Sequence, residues 1–453
     1  MQIVKTAKLK ILNRNQSLMP TLEIYRKALS FYINTVYREW NSIKDVENTN
    51  AQVAYLEKIT HKTAKNPDPA YDFDKDFYKF PSYLRRACIA ESIGYVKGFF
   101  SSVENYEQEK AAALSKGKKF KKKPPVLQLT HNSFPVLYKP VMFIKQSDSK
   151  VKIKAYVNND WVWLDLTLDT KNLLSSKKYR FTGYKELNPV LVQKDKHFYL
   201  HIPYLTKATL KTNAIDDEIA IGVDLGLTKS AVCCAVNKNG TVIGRLFINQ
   251  PIEKDRLFRT INRLSKAKRQ SGCVKAPNYW RVIKNIEKQI VQDTADRIVE
   301  FAVKHNADVI VFENLGRMKQ PKDFYGAKKL RFKLHFWAKQ AIVRKTLQQA
   351  HFFGIRIAKV LAKGTSKYAF DGSGEVERNA KRDLCRFTTN KHYHSDLNAS
   401  YNIAARFFIK FFLKPLPEMV RLQLQAKVPE TAARHQQTLS SLIRLREALS
   451  LAA

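Results

Sequence analysis

Cysteine is scarce in this chain. Its 453 residues contain five, Cys88, Cys233, Cys234, Cys273 and Cys385, and no C-x-x-C pair. So few and so scattered, they exclude a disulfide framework and point to a reducing compartment, with a cytoplasmic location expected. Long apolar runs are missing as well, and no stretch approaches the length of a bilayer span. The opening "MQIVKTAKLKIL" alternates like a strand and lacks the apolar block and cleavage site of a signal peptide. Acids are in short supply: 40 Asp+Glu stand against 80 Lys+Arg, a formal charge of +40. Self-repulsion of that size calls for a polyanion, and with a membrane partner disfavoured, nucleic acid is the expected one. What is present is globular in character. Hydrophobic residues make up 44% and aromatics 11%, in a chain long enough for two or three domains. No internal repeat is found.

The hydrophobic pattern divides the chain by texture. "VKTAKLKI" at 4–11 predicts a basic edge strand. Leu22, Tyr25, Leu29, Tyr32, Ile33, Val36 and Trp40 recur at helical spacing over 20–40, and a second helix is expected from Ser82 past Tyr106. A turn-rich connector, 66–79, separates them. "KGKKFKKKPP" at 116–125 packs five lysines into six residues before two prolines. It reads as a solvated linker or a phosphate-gripping strap, with Lys118, Lys119, Lys121, Lys122 and Lys123 as its cations. From 126 to 204 short alternating runs predict a small barrel or sandwich, which the N-terminal strand could complete around the inserted helices.

After 218 three strands are expected in succession, "IAIGVDLG" (219–226), "SAVCCAVNKNG" (230–240) and "TVIGRLFI" (241–248), with Asn239-Gly240 as a hairpin turn. A basic helical region at 254–305, the strand "VIVFE", a helix over 336–352 and the strand "IRIAKV" follow. Three meandering strands and then helix, strand, helix, strand is the element order of the ribonuclease H-like fold. The segment beyond 415 reads as amphipathic helix through Leu439, Leu442, Ile443 and Leu449.

Two of the apolar strands end in a carboxylate, Asp224 and Glu313, and a third acid, Asp396, opens a helix in "HSDLNASYNIAARFF". Singly, each has an ordinary reading as a sheet-edge acid or a helix cap. Adjacent strands would set Asp224 and Glu313 side by side, and the last helix would bring Asp396 across from them. Three carboxylates in one cleft do not all ionise without a cation, because each raises the pKa of the others. Oxygen ligands with spare positions suit Mg²⁺ or Mn²⁺. Two such ions, about 3.5–4 Å apart, activate a water and stabilise the leaving oxygen of a phosphodiester.

"GVDLG", "VIVFENLG" and "DLNASYNIA", in this order, resemble the three RuvC motifs of the TnpB proteins of insertion sequences and of the related type V CRISPR effectors. "GTSK" at 364–367 is similar to that family too, as is the basic region 254–288, with eleven Lys/Arg against two acids. The likeness spans about 219–412 and is only architectural before it. It implies an α/β plus β-barrel chain: a ribonuclease H-like RuvC nuclease domain with an N-terminal wedge β-barrel carrying an inserted helical recognition domain. The implied boundaries are 1–18 and 126–215 for the wedge, 19–125 for the recognition domain with its basic linker, 216–412 for the nuclease domain, and 413–453 for a helical tail. The implied activity is RNA-guided, metal-dependent DNA endonuclease, with Asp224, Glu313 and Asp396 binding magnesium, guide RNA and target DNA as partners, and base pairing reading the sequence. Arg256, Arg259, Arg263, Lys266 and Arg269 are the candidates for backbone contacts, against the alternative of a solvated basic face.

One departure from the family stands out. Its members usually carry a zinc ribbon of two C-x-x-C pairs between "TSK" and the third acid. Here Ala369 and Gly372 fall near the first pair, and only Cys385 remains of the second, with Thr388 at its mate's place. His392 and His394 lie near Cys385, but one cysteine and two alternate histidines make a poor tetrahedron. The expectation is a degenerate ribbon-like insertion at 361–395 without zinc. Competing functions are a guided DNA-binding protein that no longer cuts, disfavoured by the presence of all three acids, an unguided RuvC-type junction resolvase, and a strand-joining transposase.

Overall fold

The computed structural model describes residues 1–13, 15–64, 66–117, 119–170, 183–211, 218–272, 275–314, 338–379 and 383–451. The chain divides into two compact units, Gln2–Thr206 and, with Met1, Lys207–Ala453.

The first unit joins helices and strands around one core. Its strands are β1 (Gln2–Ile11), β2 (Phe143–Lys145), β3 (Lys150–Val157), β4 (Asp160–Asp169), β5 (Lys185–Glu186), β6 (Val190–Lys194) and β7 (His197–Lys207). They form a single sheet in the order β2-β3-β4-β1-β7-β5, with β6 also on β7. Asn158 and Asn159, at φ 50° and 62°, make the two-residue turn that pairs Val157 with Asp160. The sequence leads one to expect strands from 126, but the first begins at Phe143; 126–142 has one isolated bridge, Val136 to Val190. The sheet is not a closed barrel among the described residues. Its end strands β2 and β5 are three and two residues long, and side chains rather than backbone join them: Lys145 reaches Glu186 at 3.4 Å, and Lys139 reaches it at 2.6 Å.

Helix α1 (Asn15–Arg38) starts earlier than expected, with Pro20 inside it. Its stripe Leu18, Leu22, Tyr25, Leu29 shares one buried cluster with Ile153, Leu166 and Leu168 of the sheet. Helix α2 (Thr49–Thr60) has no strong apolar period and is not evident in the sequence. Leu56 enters the core with Val53 and Ile59 beside it, and polar ties add to this: buried Gln52 donates to the Ile43 and Val46 carbonyls, and Glu57 takes Arg85 and Arg86 of α3 (Ser82–Leu114) at 2.8 and 2.9 Å.

The second unit is built on a five-stranded sheet, ordered β10-β9-β8-β11-β12. Its strands are β8 (Ile219–Asp224), β9 (Ala231–Asn237), β10 (Val242–Ile248), β11 (Val309–Asn314) and β12 (Arg356–Leu361). The first three are antiparallel neighbours; β11 runs parallel to both β8 and β12. This is the expected order of elements. The hairpin between β9 and β10 is longer than the Asn-Gly reading, closing from Asn237 to Thr241 with Gly240 at φ +85°. The expected basic helical region is two helices, α4 (Pro251–Ser271) and α5 (Pro277–Lys304). Helix α6 (Lys339–Ala350) precedes β12, and α7 (Ser395–Leu413), α8 (Glu418–Lys427) and α9 (Leu439–Ser450) complete the chain.

Strand alternation assigns the two faces of this sheet. Ile221, Val223, Ile310 and Phe312 pack with Ile298, Ala302 and Ile342 of α5 and α6. Ala220, Val309 and Val311 pack on the other face with Leu397, Tyr401 and Ala404 of α7. No helix among the described residues is long and apolar enough to cross a membrane.

Candidate active site

Asp224 ends β8 and Glu313 lies one residue from the end of β11. The parallel register pairs Val223 with Phe312, so the next residue on each strand comes level with its neighbour. By the same alternation both acids belong to the face that carries Ala220, Val309 and Val311, the face covered by α7. Asp396 sits in the first turn of α7. The cap of that helix is His394, whose side chain makes no capping bond, so Asp396 does not serve as the cap. Each of the three is partly open to solvent.

Close helix-to-sheet contact brings the third acid in. A Cβ on Gly222 would lie 2.2 Å from the Ser400 carbonyl and 3.0 Å from the Ala404 Cβ, so only glycine lets α7 rest on β8 here.

Asp224 feels both of the other acids. Burial pushes the Asp224 carboxyl well above the usual range, and Glu313 and Asp396 push it further, with Arg378 opposing. Burial also raises Glu313, against a hydrogen bond from the Thr365 hydroxyl and the charge of Arg406. Among the described residues, no three His, Cys, Asp or Glu side chains converge into a ready-made metal cage. The donors that are present, mutually repelling carboxylates with solvent access, fit a hard divalent ion that keeps much of its water and takes phosphate oxygens for the rest.

Sequence reasoning missed the ladder that holds these groups. Asn398, Asn402 and Arg406, spaced by four along α7, are each 2% exposed or less. Asn398 Nδ2 donates to the Tyr368 carbonyl, and its Oδ1 accepts from the Phe370 amide. Asn402 Nδ2 donates to the carbonyls of Thr365 and Tyr368, and its Oδ1 accepts from the Leu439 amide. The Arg406 guanidinium donates to the carbonyls of Leu361, Lys363, His435 and Gln437. Burial pulls Arg406 down to about 10, with Glu313 pulling it back up. The "GTSK" turn and the C-terminal segment are thus clamped to the helix that bears Asp396. The signal was in "DLNASYNIAAR": polar residues at helical spacing inside an apolar run must find buried partners.

Further cations surround the first acid's loop. Lys254 of α4 donates to the Thr228 carbonyl at 2.6 Å and to Leu227 at 3.2 Å, and burial pulls its ammonium down to about 8. Lys229 donates to His394 Nε2.

The ribbon-like segment is a three-stranded antiparallel sheet, β13 (Glu377–Arg378), β14 (Leu384–Arg386) and β15 (His392–His394). Cys385 pairs with Tyr393, so His392 and His394 fall on the opposite side and do not converge with its sulfur. Ala369, Cys385 and Phe387 form a small buried cluster there, closed by Phe370 and Tyr393.

The predicted basic residues are exposed where described. Arg256, Arg259, Arg263, Lys266 and Arg269 line the side of α4 away from buried Ile261 and Leu264. Lys119, Lys121 and Lys123 are exposed, Lys122 is paired with Glu109 of α3, and Lys118 lies outside the described residues.

Comparison with known proteins agrees on the fold and leaves the family open. Residues 5–157 match the Aq_aa04 family. The uncharacterized protein aq_aa04 of Aquifex aeolicus (strain VF5) is 28% identical over 130 residues, 25% of this chain and 73% of that protein. A Cas12f1 in complex with sgRNA and target DNA is similar at TM-score 0.46 and 15% identity, covering 89% of this chain and 99% of that one. The mini-RNA-guided endonuclease CRISPR-Cas_phi3 reaches a TM-score of 0.51 at 9% identity, across 89% of this chain and 92% of that one. The chain therefore shares the overall fold of a compact RNA-guided endonuclease.

Proposed function

We propose that this protein is an RNA-guided DNA endonuclease of TnpB-like type, related to the compact type V effectors. In this reading residues 216–412 form a RuvC nuclease domain of ribonuclease H-like fold, 413–453 a helical tail, and the preceding chain the wedge (1–18 and 126–215) and recognition (19–125) parts. What supports the proposal most is that Asp224 and Glu313 share the sheet face covered by α7, that Asp396 is in the first turn of that helix, and that Glu313 and Asp396 both push the Asp224 carboxyl up. The overall fold of CRISPR-Cas_phi3, shared along most of both chains, supports it, and the +40 charge suits a protein that holds guide RNA, heteroduplex and displaced strand together.

Asp224, Glu313 and Asp396 would hold Mg²⁺ or Mn²⁺, which when bound supplies an activated water and charge stabilisation at the scissile phosphate. Thr365 orients Glu313 by donating to it, the charge of Arg406 favours its ionised form, and the Asn398–Asn402 ladder fixes the helix that bears Asp396. The exposed stripe of α4 and the lysines of the strap at 118–123 provide backbone contacts. No zinc is part of this reading.

The test is to purify the protein from its native host, sequence the RNA that accompanies it, and supply a matching DNA. The wild type is expected to cut, and Asp224→Ala to bind the same RNA and DNA without cutting. Cutting at the wild-type rate by Asp224→Ala would falsify the three-acid site. An RNA-free protein that cleaves branched DNA would replace the reading with an unguided resolvase.

A further inference from the structure

A second concave site lies beside the end of α7, built from residues the cutting chemistry does not use. It is a cavity of about 700 Å³ between the edge strand β12, the last turns of α7, helix α8 and the 431–437 segment. Among the described residues, six cationic side chains and no acid line it. One, Arg406, is committed to four carbonyls. Lys359, Lys410, Lys414 and Arg434 have no acidic partner among the described residues, and Arg421 stands 3.9 Å from Glu418.

Arg406 and Lys410 of α7 and Lys414, its C-cap, follow one another at spacings of four, at which like charges repel along a helix. Cations from three further elements face the same space. Concentrated positive charge of this kind is destabilising until an anion enters. Of the other lining residues five are apolar and three, Gln425, Thr431 and Gln437, are polar. Leu361 and Leu422 are 47% and 53% exposed at the cavity, with Val360 and Leu413 buried beneath. An inorganic anion has no use for apolar surface, whereas a base or sugar does. The volume falls in the range of small-molecule sites, roughly 300–1,000 Å³, suited to one or two nucleotides rather than a duplex.

We infer that this cavity binds a nucleoside phosphate, its phosphates on Lys410, Lys414, Arg421 and Arg434 and its base against Leu361 and Leu422. The chemistry is shared by a free nucleotide and by a nucleotide unit of a nucleic-acid strand. The inference does not depend on cleavage, and Asp224→Asn protein is expected to bind the same ligand.

The full chain, stripped of nucleic acid, is titrated calorimetrically with the dinucleotide pTpT, with TpT, with pyrophosphate and with a twelve-nucleotide DNA strand. One saturable pTpT site per chain is expected. Lys414→Glu and, separately, the cavity-filling Leu422→Trp should each weaken it at least tenfold while melting as the wild type does, and the exposed Lys58→Glu should leave it unchanged. Competition by the twelve-nucleotide strand identifies the source as a strand; lack of competition identifies a free nucleotide. If neither pocket variant alters pTpT binding, or if pyrophosphate binds as tightly as pTpT, the inference is overturned.

Discussion

Gly222 of β8 lies directly beneath the Ser400 carbonyl of α7, so close that a Cβ would come within 2.2 Å of that oxygen. Backbone atoms on both sides leave nothing flexible to give way. Gly222→Ala is therefore expected to lift α7 from the sheet, destabilise the protein by about 3 kcal/mol, and separate Asp396 from the other two acids. Thermal unfolding and cleavage measured on the same variant check this. A variant that melts like the wild type would show that the contact is looser than described.

The carboxylates should make stability depend on pH in a definite direction. Asp224 and Glu313 are both raised in the folded protein. Their favourable contribution is fully present below the ordinary carboxylate pKa and is lost as pH rises through the raised values. Without metal, the wild type is expected to lose melting temperature relative to Asp224→Asn as pH goes from 5 to 8. Magnesium should restore melting temperature at pH 8 in the wild type and much less in the variant. Parallel slopes for the two proteins would contradict the coupling.

Arg406, itself 2% exposed, donates to four carbonyls, three of which belong to the loop after β12 and the C-terminal segment. Replacing it with alanine removes every donor at once and is expected to destabilise the protein by roughly 3–5 kcal/mol. Hydrogen exchange should show amides around 365–370 and 437–442 opening first.

The ribbon-like segment is expected to hold its shape through packing alone. Metal analysis of purified protein should find no stoichiometric zinc, and a zinc chelator should leave its proteolysis pattern unchanged. Phe387, 1% exposed in the small cluster, is the residue to remove: Phe387→Ala should destabilise it by about 3 kcal/mol.

The arginine stripe of α4 is tested by salt. Changing Arg256, Arg259 and Arg263 together to alanine should reduce the slope of log affinity against log salt by roughly 2–3 units for single- or double-stranded DNA. An unchanged slope would mark the stripe as merely solvated.

Much of this could be read without coordinates. Unbroken apolar runs ending in Asp224 and Glu313 identify buried parallel strands, because only strands covered on both faces tolerate them. The excess of Lys and Arg leads one to expect a polyanionic partner from composition alone. The order of strands and helices after 218 follows from local periodicity. Helix α2 was hidden because its apolar contacts are few, Leu56 with Val53 and Ile59, and polar and ionic ties supplement them. Lys139 and Lys145 meet Glu186 across the ends of the first sheet, a contact no local pattern encodes.

The tertiary structure alone decided the rest. Whether three acids more than eighty residues apart share a cleft depends on strand register and on the contact at Gly222. The roles of Asn398, Asn402 and Arg406 depend on carbonyls from distant segments. The cationic cavity beside β12 collects residues from four elements, and their repulsion exists only once the chain is folded. Sequence determines which groups must be buried or exposed; distances between them arise from packing, and both the candidate cutting site and the nucleotide pocket are matters of distance.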